Sequence, residues 1–149
     1  MSKLPLLVVC CGNADRGDDA AGPMVAERLR AAGVDVRCNG GNALDLLADF
    51  DEACHVVLID AVVTGKPAGA ITRWDAHAER IPVRTMPCST HWVGVAEAIE
   101  LARILDQLPE RCVVIGIEAG HFERGCEPSP EVAAAVEEVA RQVLDEKGA

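Results

Sequence analysis

Apolar residues fall into five short runs, separated by glycine-rich turns and by stretches where they recur every three or four residues. The first run, Leu4 to Cys11, reads as a buried strand. The turn from Gly12 to Gly22 follows it and leads into a helix expected over Asp18 to Ala32. Val25, Leu29 and Ala32 share one face of that helix, and Gly33 stops it. Val34 to Cys38 predicts a short second strand that ends at Asn39-Gly40-Gly41, and Ala43 to Asp49 a short helix. Cys54 to Asp60 is the clearest buried strand, with Val56-Val57-Leu58-Ile59 in sequence and an acid at its carboxyl end. The turn Gly65-Lys66-Pro67-Ala68-Gly69 leads to a strand at Ala70 to Trp74. A link that short cannot hold a helical crossover, so the fourth strand is expected to run antiparallel to the third.

Asp75 to Pro87 lacks periodicity and is expected to be an exposed loop. Ser89 or Thr90 would cap a helix from Trp92 to Leu108. Cys112 to Ile117 is the last predicted strand. Ser129-Pro130-Glu131 then opens a helix that reaches Glu146, with a capping hydroxyl, a proline in the first turn and an early acid. The order of elements predicts a three-layer α/β/α fold occupying residues 1–149 as one domain.

Composition narrows this picture. Half of the 149 residues are hydrophobic but only 3% are aromatic, so Val, Leu, Ile and Ala must build the core, as suits buried parallel strands between helices. Fourteen basic against 24 acidic residues give a net charge of -10, which argues against nucleic acid or an anionic membrane as main partner. A cation or a basic peptide remains compatible. The seven cysteines, at 10, 11, 38, 54, 88, 112 and 126, form no Cys-x-x-Cys pair. They are expected to be reduced core thiols of a cytoplasmic protein. Leu4 to Cys11 is too short for a spanning segment and ends in Gly-Asn-Ala-Asp, so neither a signal peptide nor membrane insertion is expected.

Open α/β sheets collect ligands at the carboxyl ends of their strands. Three groups are expected there: Asp19 after the first strand, Asp60 at the end of the third, and His91 in the loop before the third helix. Two carboxylates and an imidazole, with positions left for water or substrate, suit a divalent transition metal. Each has a plainer alternative. Asp18 and Asp19 are favourable in a first helical turn on electrostatic grounds alone, Asp60 could cap a turn, and His91 could simply begin a helix. His121, after Glu118-Ala119-Gly120, is a secondary candidate. Asn13 would orient a ligand or satisfy the turn. His55 and His77 read as ordinary surface residues. The first turn lacks the glycine spacing of a nucleotide-binding loop and puts acids where phosphates would sit.

Taken together, these pieces resemble the hydrogenase maturation endopeptidases, which remove a C-terminal peptide from the nickel-containing large subunit of [NiFe]-hydrogenases. The opening Gly-Asn-x-x-x-x-Asp-[Asp/Glu]-x-x-Gly pattern of that family is met by Gly12, Asn13, Asp18, Asp19 and Gly22. Gly40-Gly41 matches its Gly-Gly after the second strand. Asp60, Gly65 and Gly69 match its strand-ending acid and turn, Ser89-Thr90-His91 its Ser-x-His, and Gly116-Ile117-Glu118 its late strand. Ser129 and Val132 match its closing helix start, although Pro128 stands where the family has leucine. Asn39-Gly40-Gly41-Asn42 stands where many members have Asp-Gly-Gly-Thr, and Glu118-Ala119 where Gln-Pro is commoner.

The resemblance implies a five-stranded mixed sheet with one antiparallel strand. It carries metal contact and catalysis to Asp19, Asp60 and His91. It further implies that the nickel arrives in the large-subunit precursor and that the resting protease is metal-free. The competing reading from a different class is a non-cleaving, nickel-sensing or chaperone-like subunit of hydrogenase assembly.

Overall fold

The computed structural model describes residues 3–40, 42–81 and 91–148, with the side chains of residues 91–93 and 148 excepted. The strands are β1 (Leu7–Cys11), β2 (Val36–Asn39), β3 (His55–Val62), β4 (Ile71–Asp75) and β5 (Arg111–Glu118). The helices are α1 (Ala21–Ala31), α2 (Ala43–Phe50), α3 (His91–Ile104) and α4 (Pro130–Gly148). One sheet has the order β2-β1-β3-β5-β4, parallel throughout except where β4 pairs antiparallel with β5.

The strict alternation of side chains along each strand splits the core in two. Val9, Cys11, Leu58 and Val114 face Leu46 and Phe50 of α2 and Val95 and Ile99 of α3. Val8, Cys10, Ile59 and Ile115 face Val25 and Leu29 of α1 and Val136 and Val139 of α4. The mixed sheet between two helical layers is the architecture expected from the order of elements and from the family resemblance.

Four local readings are revised. The first helix does not begin at Asp18: Gly17–Ala20 is a single 3-10 turn, and α1 starts at Ala21. The fourth strand runs in the expected direction but lies beside β5, because β1 and β5 already occupy both edges of β3. The segment after Trp74 is not simply exposed. Asp75 completes β4, Ala76 donates its N–H to Cys112 O at 2.9 Å, and Ala76 and Ile81 are buried. The remainder of the expected loop to Pro87, and the Ser89 or Thr90 cap, lie outside the described residues. The third helix stops at Ile104 rather than Leu108. Asp106 adopts a left-handed φ of 57°, the Gln107 N–H turns back to Ala102 O at 2.7 Å, and Pro109 disfavours helical geometry at Leu108.

Candidate functional site

The chain passes from β1 through α1 to β2 on one side, then through α2 to β3 on the other. The helices of these two crossovers cover opposite faces, and in open α/β sheets the carboxyl ends of the strands at such a reversal are where ligands are held. Asp19 lies in the 3-10 turn after β1, and Asp60 lies two residues from the end of β3. That turn packs against β3. Gly22 makes the approach of α1 to β1 possible, since a Cβ there would meet Cys11 O at 2.0 Å.

Asp19 is buried, and its Oδ2 accepts the Asn13 N–H at 3.2 Å. Asn13 Oδ1 in turn accepts the Asp15 N–H at 2.9 Å, so Asn13 organises the turn around the acid. Asp60 is 1% exposed and accepts the N–H of Ala61 at 2.8 Å. In register it lies opposite Gly116 of β5, and its side chain projects from the α2/α3 face. His91 is the first residue of α3, the helix that packs on this same face, and its imidazole is not among the described side chains. Among the described residues no group of three His, Cys, Asp or Glu side chains is arranged to hold a metal ion.

The acid next to Asp19 has a different task. Asp18 is fully buried, and its carboxylate accepts the N–H groups of Gly120 at 2.6 Å, His121 at 3.1 Å and Ser129 at 2.5 Å, with the Ser129 hydroxyl at 2.8 Å. Burial alone would raise its pKa, but these donors outweigh burial and hold the carboxyl below its ordinary range. Asp18 therefore clamps the loop after β5 and the start of α4 onto the first turn. The secondary candidate His121 belongs to this clamp: its Nε2 is 4.0 Å from Asp18 Oδ1 and its ring lies against Gly17.

Glu118 is also structural. It is buried at the end of β5 and accepts the Thr64 N–H at 2.7 Å and the Thr64 hydroxyl at 2.5 Å, pinning the turn after β3. His77 donates Nε2–H to Pro109 O at 2.6 Å, which ties the segment after β4 to the entry of β5. Sequence reading missed these latches because their partners lie 32 to 111 residues away.

A polar network joins the ends of β1 and β2 to α2. The Cys11 thiol donates to Asn39 Oδ1 at 3.4 Å, and Asn39 Nδ2 donates to Asp49 Oδ2 at 3.1 Å. Arg37 donates to Asp49 Oδ1 at 2.7 Å and also to Glu52. The Asn39 side chain, at the position where the resembling family has an acid, is thus committed to its neighbours in the fold. Burial, reinforced by the charge of Asp60, pushes the Cys11 thiol far above its usual range. Burial is also the main cause for Cys10, with Asp60 a minor one. The six described cysteines are free thiols: Cys10, Cys11 and Cys112 are buried as expected, whereas Cys38 and Cys126 are exposed.

A sheet of this order between two helical layers, with an acid after β1 and another near the carboxyl end of β3, defines a doubly wound α/β protein. Residues 24–146 match the family model described as hydrogenase maturation protease, and the chain belongs to that family. It is 27% identical over 145 residues to the hydrogenase 2 maturation protease of Escherichia coli K12, covering 93% of this chain and 88% of that protein. The fold is shared with the E. coli hydrogenase maturating endopeptidase HybD (TM-score 0.79, 24% identity, 96% of this chain and 91% of that one). It is also shared with the [NiFe] hydrogenase maturation protease HybD of Thermococcus kodakarensis (TM-score 0.75, 23% identity, 95% and 98%).

Proposed function

We propose that this chain is a cytoplasmic endopeptidase that removes a C-terminal peptide from the large-subunit precursor of a [NiFe]-hydrogenase and recognises the nickel already bound in that precursor. The observation that carries the reading is the placement of Asp19 in the turn after β1 and Asp60 near the carboxyl end of β3, in a chain of the maturation protease family.

Asp19, Asp60 and His91 are the proposed contacts to the substrate-borne nickel. Two carboxylates and an imidazole form an incomplete shell, which thiolates of the precursor would complete. Low dielectric around the buried carboxylates strengthens their attraction for a cation presented to them. Nickel is drawn to thiolate ligands, yet Cys10 and Cys11, the thiols nearest this end of β1, are held protonated by burial and by Asp60. A protonated thiol is a poor ligand. Contact through Asp19, Asp60 and His91 would be by oxygen and nitrogen, which leaves the nickel its thiolate ligands in the precursor. The reaction consumes one water and breaks one peptide bond, and the leaving amine takes a proton from that water. Nickel held in the precursor beside Asp19, Asp60 and His91 would supply polarisation of the scissile carbonyl or of the water.

Intact-mass measurement on large-subunit precursors, with and without nickel, tests this. Loss of a C-terminal peptide from the loaded precursor alone is expected. Asp19→Ala, Asp60→Ala and His91→Ala should each reduce processing at least 100-fold while circular dichroism stays that of the parent. Binding of loaded precursors with no cleavage of any would instead establish a non-cleaving assembly subunit. Normal processing by Asp60→Ala or His91→Ala would remove those residues from the metal contact.

A further inference from the structure

β1 and β2 pair in parallel with Cys10 directly opposite Cys38. Side chains of directly paired residues leave a sheet on the same side. Here that is the α1/α4 side: Cys10 belongs to its core, and Val36, two residues before Cys38, packs against it. Arg30 of α1 reaches both positions, its Nη2 donating to Val36 O at 3.3 Å and to Cys38 Sγ at 3.5 Å. No other two cysteines are direct partners among the described strand pairs.

The pair combines the reach of a disulfide with unequal access to solvent. Adjacent strands lie about 4.8 Å apart, inside the roughly 4.4–6.8 Å between Cα atoms that a disulfide spans. Cys38 is exposed on an edge strand of the sheet, whereas Cys10 is 0% exposed. Burial raises the Cys10 thiol far above its usual range, and the neighbouring Cys38 sulfur adds to that effect. An oxidant in solution therefore meets Cys38 and not Cys10. Reactivity toward peroxides follows access, and a partner sulfur beside the exposed one turns a single oxidation into a bond.

We propose that Cys10 and Cys38 form a reversible intrachain disulfide, in which Cys38 meets hydrogen peroxide and Cys10 closes the bond. The Cys38 thiol gives up its proton as its sulfur attacks a peroxide oxygen. The O–O bond breaks, a sulfenic acid forms on Cys38, and the departing hydroxide takes that proton to leave as water. Cys10 Sγ then attacks Cys38 Sγ, the S–O bond breaks, and the second hydroxide leaves as water with the Cys10 proton. The two thiols lose two electrons, one peroxide becomes two waters, and a dithiol reductant reverses the bond. The bond ties β2 to β1 immediately before Asn39, whose side chain already holds β2 to Asp49 of α2.

The test treats the reduced full chain, in dilute solution, with hydrogen peroxide and reads intact mass and tandem fragments. Loss of two hydrogens with a Cys10–Cys38 link is expected, and dithiothreitol should restore the starting mass. Cys38→Ser should abolish that loss, whereas Cys11→Ser and Cys54→Ser should keep it. In Cys10→Ala the sulfenic acid on Cys38 has no partner, and dimedone should label it about fivefold more than in the parent. Cys38→Ser, at an exposed position, keeps the test valid if Cys10→Ala fails to fold. The proposal is overturned if the mass does not change, if Cys38 takes up oxygen without forming the link, if the link joins other cysteines or two copies of the chain, or if a folded Cys10→Ala shows no gain in labelling.

Discussion

Two adjacent aspartates, alike in the chain, have different partners in the fold. Asp18 spends its lone pairs on donors from Gly120, His121 and Ser129, whereas Asp19 accepts the Asn13 N–H. Asp18→Asn would turn a donor group toward three N–H donors, and a loss of about 3 kcal/mol is expected. Urea denaturation measures it. The acid limb has a definite sign. The folded pKa of Asp18 is depressed, so its contribution is present above the unfolded value near 4 and is lost as pH falls through the lower folded value. The difference in stability between parent and Asp18→Asn should therefore be largest at pH 6 and shrink below pH 4. A difference that is constant down to pH 2.5 would contradict the clamp. The Asp-Asp pair was plain in the sequence, but which acid serves the fold was not, since the deciding donors come from residues 102 to 111 positions away.

At the scale of elements, β3 and β5 were legible because full burial on both faces demands unbroken apolar runs, and Asp60 stands out at the end of such a run. The edge strand β4 was legible in direction but not in position. Its neighbour is chosen by packing: Trp74 pairs with Val114 and, with Val62, closes over Gly116. A Cβ at Gly116 would lie 2.8 Å from both Trp74 and Val62. Gly116→Ala should therefore cost about 1–3 kcal/mol through overpacking and loosen β4 first. Hydrogen exchange on the Thr72 and Trp74 amides, compared with those of β1, reads this directly. Equal loss of protection in β1 and β4 would show that the strain is not local to this edge.

At the scale of the molecule, charge and topology set what can approach. A net charge of -10 predicts no retention of duplex DNA at 150 mM salt, and a gel-shift titration checks it. Among the described residues no helix is long and apolar enough to cross a membrane. The sequence by itself determined the alternation of strands and helices, the two helical layers implied by strands without a polar face, and the nomination of Asp19 and Asp60. These follow from local periodicity and from glycines that only tight turns and close packing require. Tertiary structure decided the order β2-β1-β3-β5-β4, the separation of Asp18 from Asp19, and the pairing of Cys10 with Cys38 between β1 and β2. Each of these depends on contacts between residues far apart in the chain, and no local pattern of hydrophobic and polar positions encodes which distant strand or loop will supply the partner.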